Sequence, residues 1–323
     1  MKTKLLLFVL VALHLSLSSV IFAQAPALGA ASGFALFTST GALNNTGASS
    51  ISGDVGSNTV ATTGFPPGII EGNIYNPPNS ILVQAATDVG TAYGYLSTLG
   101  GTVIGVLLGS GQIVTPGIYQ TGAASSLTGN LTLDAQGDPN AIFIIRIGGA
   151  FTSSTFSSIT LLNSAASCNV YWQIGGQFDL AGNSVFQGTI VVDGAINLLE
   201  GSSLFGRALS RAGAINTHNN IVSFLPTTAG TISGTPLVCQ GQTGFAYSIP
   251  AIANATAYVW ALPSGASIIS GATTNTISVN FSPTASSGNI TVYATNACGN
   301  GIASPNYAIT ISPLPITSAI YHQ

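Results

Sequence analysis

Charge is what this sequence has least of. Of its 323 residues only 13 are Asp, Glu, Lys or Arg, 4% of the chain, against roughly 25% in an average soluble domain. Basic groups are the scarcer kind. There are five, and two of them, Lys2 and Lys4, stand ahead of an apolar run with the form of a removable leader. Without those two, Arg146, Arg207 and Arg211 face eight carboxylates, a balance of 3 − 8 = −5. Phosphate neutralisation needs clustered cations, so nucleic acid is a poor partner. A polybasic membrane contact fails for the same reason. Long apolar runs are also missing. After the N-terminus none approaches the ~20 residues of a spanning helix. Yet hydrophobic residues make up 46% of the chain and mean hydropathy is +0.52, which is the reverse of a disordered composition. What remains is a folded, nearly uncharged chain, long enough for two domains.

The N-terminus reads as a secretory signal peptide. Met1–Lys4 is a short basic stretch, Leu5–Leu13 is apolar, and Ala23 supplies the small residue before a cut. Residues 1–23 are therefore expected to be removed and the product to be secreted or held at the cell surface, without a membrane span. Export permits disulfides. Of three cysteines, Cys239 and Cys298 fall in one segment, and a bridge between them would close a loop of roughly 60 residues, worth about 4 kcal/mol by the loop-entropy model. Cys168 reads as a buried free thiol, with no acid–base partner in view.

Along the chain, Asn79–Leu99 is the one good helical segment. It sets Leu82, Ala85, Ala86, Val89, Tyr93 and Leu96 at 3- and 4-residue steps, with Asn79 or Ser80 as N-cap and Gly100-Gly101 as its stop. From Ile113 to Phe224 the text turns into short β-like runs, and a repeat emerges. Gly176-Gln-Phe-Asp179 recurs 18 residues on as Gly194-Ala-Ile-Asn197, and after 19 more as Gly213-Ala-Ile-Asn216. Gly149-Ala-Phe-Thr152 and Ser126 precede them at wider intervals that leave room for loops. Three short strands and three corners fill such a repeat, which predicts a β-helix of triangular section. Within the motifs Phe151, Phe178, Ile196 and Ile215 point one way, into the core. Thr152, Asp179, Asn197 and Asn216 point the other. From Thr227 several strand candidates separated by turn signals, among them Tyr258–Pro263, Thr276–Asn280 and Asn289–Ala294, predict a small β-sandwich. Domains of 24–226 and 227–313 follow, with 314–323 a tail that could open a further module.

Candidates for chemistry are sparse. Asp179 and Glu200 could pair as glycosidase carboxylates only in a particular coil register. Asp134-Ala-Gln-Gly-Asp138 resembles part of a calcium loop without its remaining ligands, and loop hydrogen bonding is the plainer role for these acids. The mature histidines, His218 and His322, fall in different domains. No catalytic residue, no metal site and no cofactor is expected. The surface itself is the remaining asset. Ser126, Thr152, Asp179, Asn197 and Asn216 would set one short polar group per coil on a flat face. Such an array could order water and adsorb to ice, or it could serve only as a ladder that stabilises the stack.

Several motifs resemble one family. Leu131-Thr-Leu-Asp-Ala-Gln-Gly-Asp-Pro-Asn-Ala-Ile-Phe-Ile-Ile145, Thr115-Pro-Gly-Ile-Tyr119, Cys168-Asn-Val-Tyr-Trp-Gln173 and Gly206-Arg-Ala-Leu-Ser210 are similar to the ice-binding-protein-like antifreeze family of bacteria, algae and fungi. The resemblance runs from about Leu28 to Val222. It implies a mainly β fold, a right-handed discontinuous β-helix with a long α-helix alongside, and binding of an ice crystal through one flat face, with inhibition of recrystallisation. The family's face pattern of Thr, Ala or Gly, any residue, then Thr or Asn falls on Gly149–Thr152, Gly176–Asp179, Gly194–Asn197 and Gly213–Asn216. The last position matches at three of these, the first is Gly rather than Thr, and Asp179 is charged. By the same resemblance Thr38 and Thr40 would complete the face at its other end. Val238-Cys-Gln-Gly241, Tyr258-Val-Trp260 and Ala294-Thr-Asn-Ala-Cys-Gly299 resemble PKD-like, immunoglobulin-type modules, which implies a spacer or an attachment to cell-surface polysaccharide or protein. The alternative to ice binding is a cell-surface adhesin or structural polysaccharide-binding module.

Overall fold

The computed structural model describes residues 24–314 apart from Ala253. The expected signal peptide lies outside them, as does the tail from 315 onward. Among the described residues no helix is long and apolar enough to cross a membrane.

Three parallel sheets of nine, seven and eight strands, here A, B and C, form the sides of a β-helix. Each coil contributes one strand to each side. In sheet B the strands stack in the order Leu107–Gly109, Ser125–Thr128, Phe151–Ser153, Phe178–Leu180, Ile196–Leu198, Ile215–His218 and Leu43–Thr46. The last of these comes first in the chain. The N-terminal coil therefore caps the C-terminal end of the solenoid, and the stack is discontinuous in sequence. Leu43 lies opposite Ile215, as Phe34–Thr38 lies beside Ala208–Ser210 in sheet A.

A single helix, α1 (Ser80–Thr98), packs against sheet A. Its N-cap is Asn79, whose side chain accepts from the Ile81 amide at 2.8 Å, satisfying one of the otherwise orphaned donors of the first turn. Leu82, Ala85, Val89, Ala92 and Leu96 are buried in one stripe, against Phe37, Ile144, Tyr171, Val191 and Leu209. These strand residues point outward from the solenoid, so the strands of sheet A are apolar on both sides. Phe34–Thr38 and Val170–Ile174 are buried along their whole length. Beneath sheet B, Phe151 and Phe178 stack with ring centroids 5.2 Å apart, and Trp172 meets Phe186 at 4.8 Å. The Trp172 indole donates to the Gln187 carbonyl at 2.9 Å, so the largest core side chain is satisfied as well as packed.

The solenoid strands end at Ile221–Ser223. Beyond them two sheets, largely antiparallel, enclose a second core around Tyr247, Trp260, Ile277, Val279, Phe281, Ile290 and Val292. The strand regions expected from sequence recur as Ala257–Ala261, Thr276–Phe281 and Gly288–Asn296. The two parts meet at the corner where sheet C turns into sheet A. Asn254 and Asn296 donate to the carbonyls of Ser223 and Phe224 at 3.4 and 3.3 Å, and the Thr228 amide reaches the Glu71 carboxylate at 3.2 Å. The Arg207 guanidinium lies 3.8 Å over the Phe224 ring.

The bridge expected between Cys239 and Cys298 is absent from this structure. All three cysteines are free, with Cys239 exposed. Cys298 instead faces the solenoid, with its sulfur 3.5 Å from Ser167 Oγ.

Candidate functional site

Sheet A is covered by α1, which leaves sheets B and C as open sides. Their outward columns differ. In sheet C the column runs Asn130, Ser158, Val185, Ser203, Ile221, Ser50 and Ile69, so apolar side chains interrupt it. In sheet B the register places Ser126 beside Thr152, Thr152 beside Asp179, Asp179 beside Asn197, and Asn197 beside Asn216. Asn216 then lies beside Asn44, and Asn44 beside Thr63. Leu107, beside Ser126, ends the column at the open end of the stack. The column is therefore polar over seven coils, with side chains repeating at the strand spacing of ~4.7–4.9 Å.

Its amides are joined. Thr63 Oγ1 donates to Asn44 Oδ1 at 3.1 Å, Asn44 Nδ2 to Asn216 Oδ1 at 3.1 Å, and Asn216 Nδ2 to Asn197 Oδ1 at 2.8 Å. Asn197 Nδ2 then donates to Asp179 Oδ1 at 2.6 Å. All donors point toward Asp179, which also accepts from Gln177 Nε2 at 2.7 and 2.8 Å. An ionised carboxylate only accepts. It therefore fixes the direction of the chain: Asn197 must turn its NH2 toward Asp179, which leaves its oxygen for Asn216, and so on up the stack. Each Asn spends one N–H and one lone pair laterally and keeps the others for solvent.

A second column flanks the first. Ala150, Gln177, Ala195, Ala214 and Ala42 accept successive ladder bonds through their carbonyls, and the four alanines are half-exposed. Next to them, at the corner with sheet A, stand Gly149, Gly176, Gly194, Gly213 and Gly41. A Cβ at these glycines would lie 2.0–2.8 Å from the backbone of the adjacent coil. This explains why Gly replaces Thr at the first position of the face pattern: the coils stack too closely there for any side chain.

Two residues placed on the face by resemblance are elsewhere. Thr38 is wholly buried in sheet A. Its hydroxyl donates to the Gly213 carbonyl at 2.6 Å and accepts from the Gly41 amide at 3.0 Å. Ser210 donates to the same Gly213 carbonyl at 3.1 Å, and Ser57 to the Gly41 carbonyl at 2.6 Å, so hydroxyls of sheet A serve this corner in successive coils. Thr40 is exposed but sits in the bend between sheets A and B, outside the strand and off the column. Conversely, Asn44 and Thr63 belong to the column and were not expected. Asn44 had a legible signal, because Gly41-Ala-Leu-Asn44 repeats the Gly-Ala-Ile-Asn motif.

The acids are held in structural contacts. Asp134 and Asp138 accept from backbone amides two residues ahead at 2.8 and 2.9 Å, as turn-forming Asx residues. Glu200 pairs with His218 Nδ1 at 3.0 Å and Asp193 with Arg211 at 2.9 Å. Among the described residues no group of three or more His, Cys, Asp or Glu could hold a metal ion.

Residues 37–223 match the family model described as ice-binding-like. The chain belongs to that family. Residues 225–309 match the PKD-like domain. An ice-binding protein of Nostoc sp. (strain HG1) is 39% identical over 200 residues, covering 61% of this chain and 73% of the relative. The crystal structure of an ice-binding protein from an Antarctic bacterium of the Flavobacteriaceae superposes with a TM-score of 0.60 at 37% identity, covering 68% of this chain and 56% of the other. That of an ice-binding protein from an Antarctic biological consortium gives 0.60 at 32% identity, covering 62% and 91%.

Proposed function

We propose that this is a secreted, non-enzymatic ice-binding protein that adsorbs to ice through the outer face of sheet B and inhibits recrystallisation. The names of its relatives support the reading. The observation that carries it is the unbroken column from Ser126 to Thr63. Lateral hydrogen bonds hold the Asn side chains before any ligand arrives. Ordering a free Asn or Gln side chain on a surface costs entropy, and here much of that cost is met in folding. The remaining N–H groups and lone pairs face outward at a fixed repeat, beside a column that is alanine at every coil from Ala150 to Ala42 except Gln177. Water can bridge the polar column while the methyls keep the groove between columns shallow. Many weak contacts over seven coils then add to a stable adsorption, with Ser126, Thr152, Asp179, Asn197, Asn216, Asn44 and Thr63 as the contact residues.

The test is partition of the full mature chain into slowly grown ice, run beside a panel of immobilised polysaccharides. Enrichment in ice with background retention on the glycans is the expected outcome. Background levels in ice with clear glycan retention would favour a cell-surface adhesin instead, with the PKD-like module as its attachment.

A further inference from the structure

The two cysteines nearest the junction of the solenoid and the PKD-like part lie far apart in sequence and together in space. Cys168 belongs to the short 3-10 turn Ser167–Asn169 that leads into the sheet A strand Val170–Ile174. That turn is held by the Asn169 side chain donating to the Pro139 carbonyl at 3.1 Å. Cys298 lies in the turn between strands Gly288–Asn296 and Gly299–Asn300. Asn296 Oδ1 fixes it by accepting from the amides of Cys298 and Gly299 at 2.8 and 3.1 Å. The two thiols lie close enough to shift one another's protonation, and Cys298 contacts the Oγ of Ser167, the residue before Cys168, at 3.5 Å. A crevice of about 230 Å³, lined by Leu161, Ser167, Asn254, Asn296 and Cys298 among others, opens beside the pair. Both backbones are thus pinned by their own turns, with the Cys298 sulfur against the turn that holds Cys168 and room for a reagent to reach Cys298.

We propose that Cys168 and Cys298 form a disulfide that locks the PKD-like part onto the solenoid once the chain meets an oxidising environment. The Cys298 thiolate attacks one sulfur of a disulfide oxidant, such as oxidised glutathione. The oxidant's S–S bond breaks and one glutathione thiolate leaves, taking up a proton. Cys168 gives its proton to solvent and attacks the Cys298 sulfur of the mixed disulfide, and the second glutathione thiolate leaves. Two protein thiols are oxidised and one small disulfide is reduced to two thiols. The Cys298 thiol is suited to the first step: the hydrogen bond from Cys168, with help from Ser167 and the Arg207 charge, lowers it to about 7, whereas Cys168 is raised by its hydrogen bond to Cys298 and by burial. The lock has a geometric consequence. The contacts of the PKD-like part fall at the corner between sheets C and A, which lies across the triangular section from sheet B. The module is fixed where it leaves that face open.

The test uses the full mature chain, folded and then equilibrated with oxidised and reduced glutathione at pH 8. Thiols are counted after alkylation in denaturant, and peptides are mapped without reduction. The expected result is one free thiol, at Cys239, a mass lower by about 2 Da, and a peptide pair linking Cys168 to Cys298. Cys239→Ser then leaves no free thiol, and Cys168→Ser leaves two. Three free thiols in the oxidised wild type would overturn the proposal. So would a Cys239–Cys298 link, which would leave Cys168→Ser with none. Ice partition is unaffected by either result, so the bridge and the ice-binding reading fail independently.

Discussion

Asn197 donates to Asp179 at 2.6 Å, and this bond ends a chain of side-chain hydrogen bonds that starts at Thr63. A lone carboxylate on a neutral, water-ordering face looks like a defect when only its charge is considered. In the stack it is the acceptor that gives four neighbouring side chains a common orientation.

Replacing Asp179 by Asn tests that role. The new side chain keeps the shape but offers one oxygen where the carboxylate accepts from both Asn197 and Gln177. Hydrogen bonds to charged groups contribute about 1.5–3 kcal/mol when sheltered, and solvent screening at this half-exposed site reduces that. Asp179→Asn is expected to lower unfolding free energy by about 1 kcal/mol, measured by urea denaturation, and to weaken ice partition because the column loses the acceptor that orients it. A variant of unchanged stability would mean that the carboxylate does not order the column.

The glycine corner makes a second prediction. Restoring the family's Thr at position 194 would bring a Cβ within 2.7 Å of the Gly176 carbonyl oxygen. The three nearest atoms are all backbone, of Gly176 and Gln177, which leaves nothing flexible to yield. Gly194→Thr is expected to cost about 2–3 kcal/mol, as overpacking does, and to weaken ice adsorption by disturbing the coil spacing. A gain in adsorption at unchanged melting temperature would contradict the close-stacking explanation.

Much of this was legible before any coordinates. The 3- and 4-residue steps of Leu82, Ala85, Val89 and Leu96 mark a helix that buries one stripe, and the structure adds Ala92 to it. The 18- and 19-residue intervals set Asp179, Asn197 and Asn216 in register, because parallel coils of equal length must align equivalent residues. Asn44 escaped the same reading because its coil partner is 172 residues away, where periodicity carries no information. The resemblance puts Thr38 on the face, but it lies in a sheet A strand, and nothing in the local pattern tells which strand belongs to which side. Its hydroxyl serves the corner, not the face. Cys298 was matched within its own segment, while its neighbour stands on the far side of a domain boundary that no local pattern crosses.

The thiol pair has its own pH signature. In the reduced protein Cys298, lowered to about 7 from an ordinary 9.0 by the Cys168 hydrogen bond, is mostly thiolate at pH 8. Its alkylation by iodoacetamide is therefore expected to climb through pH 7. Removing the donor with Cys168→Ala should shift the midpoint upward, toward 9. Folded protein binds fewer protons than unfolded protein between these values, so this group adds stability as pH rises through that window and loses it as pH falls through 7. A midpoint that stays put in Cys168→Ala would show that the two thiols do not interact.

The assignment of sheet B is tested most directly by adding bulk to it. Thr152→Tyr combined with Asn197→Tyr places two large rings on the column, while Thr160→Tyr places one on exposed sheet C. Each variant is melted to verify folding, and its adsorption to single ice crystals and its effect on crystal shape are recorded. The expected result is loss of adsorption and shaping in the double variant, with melting within a few degrees of wild type and Thr160→Tyr unaffected. Normal shaping by the double variant, or loss in Thr160→Tyr alone, would contradict sheet B as the ice-binding face.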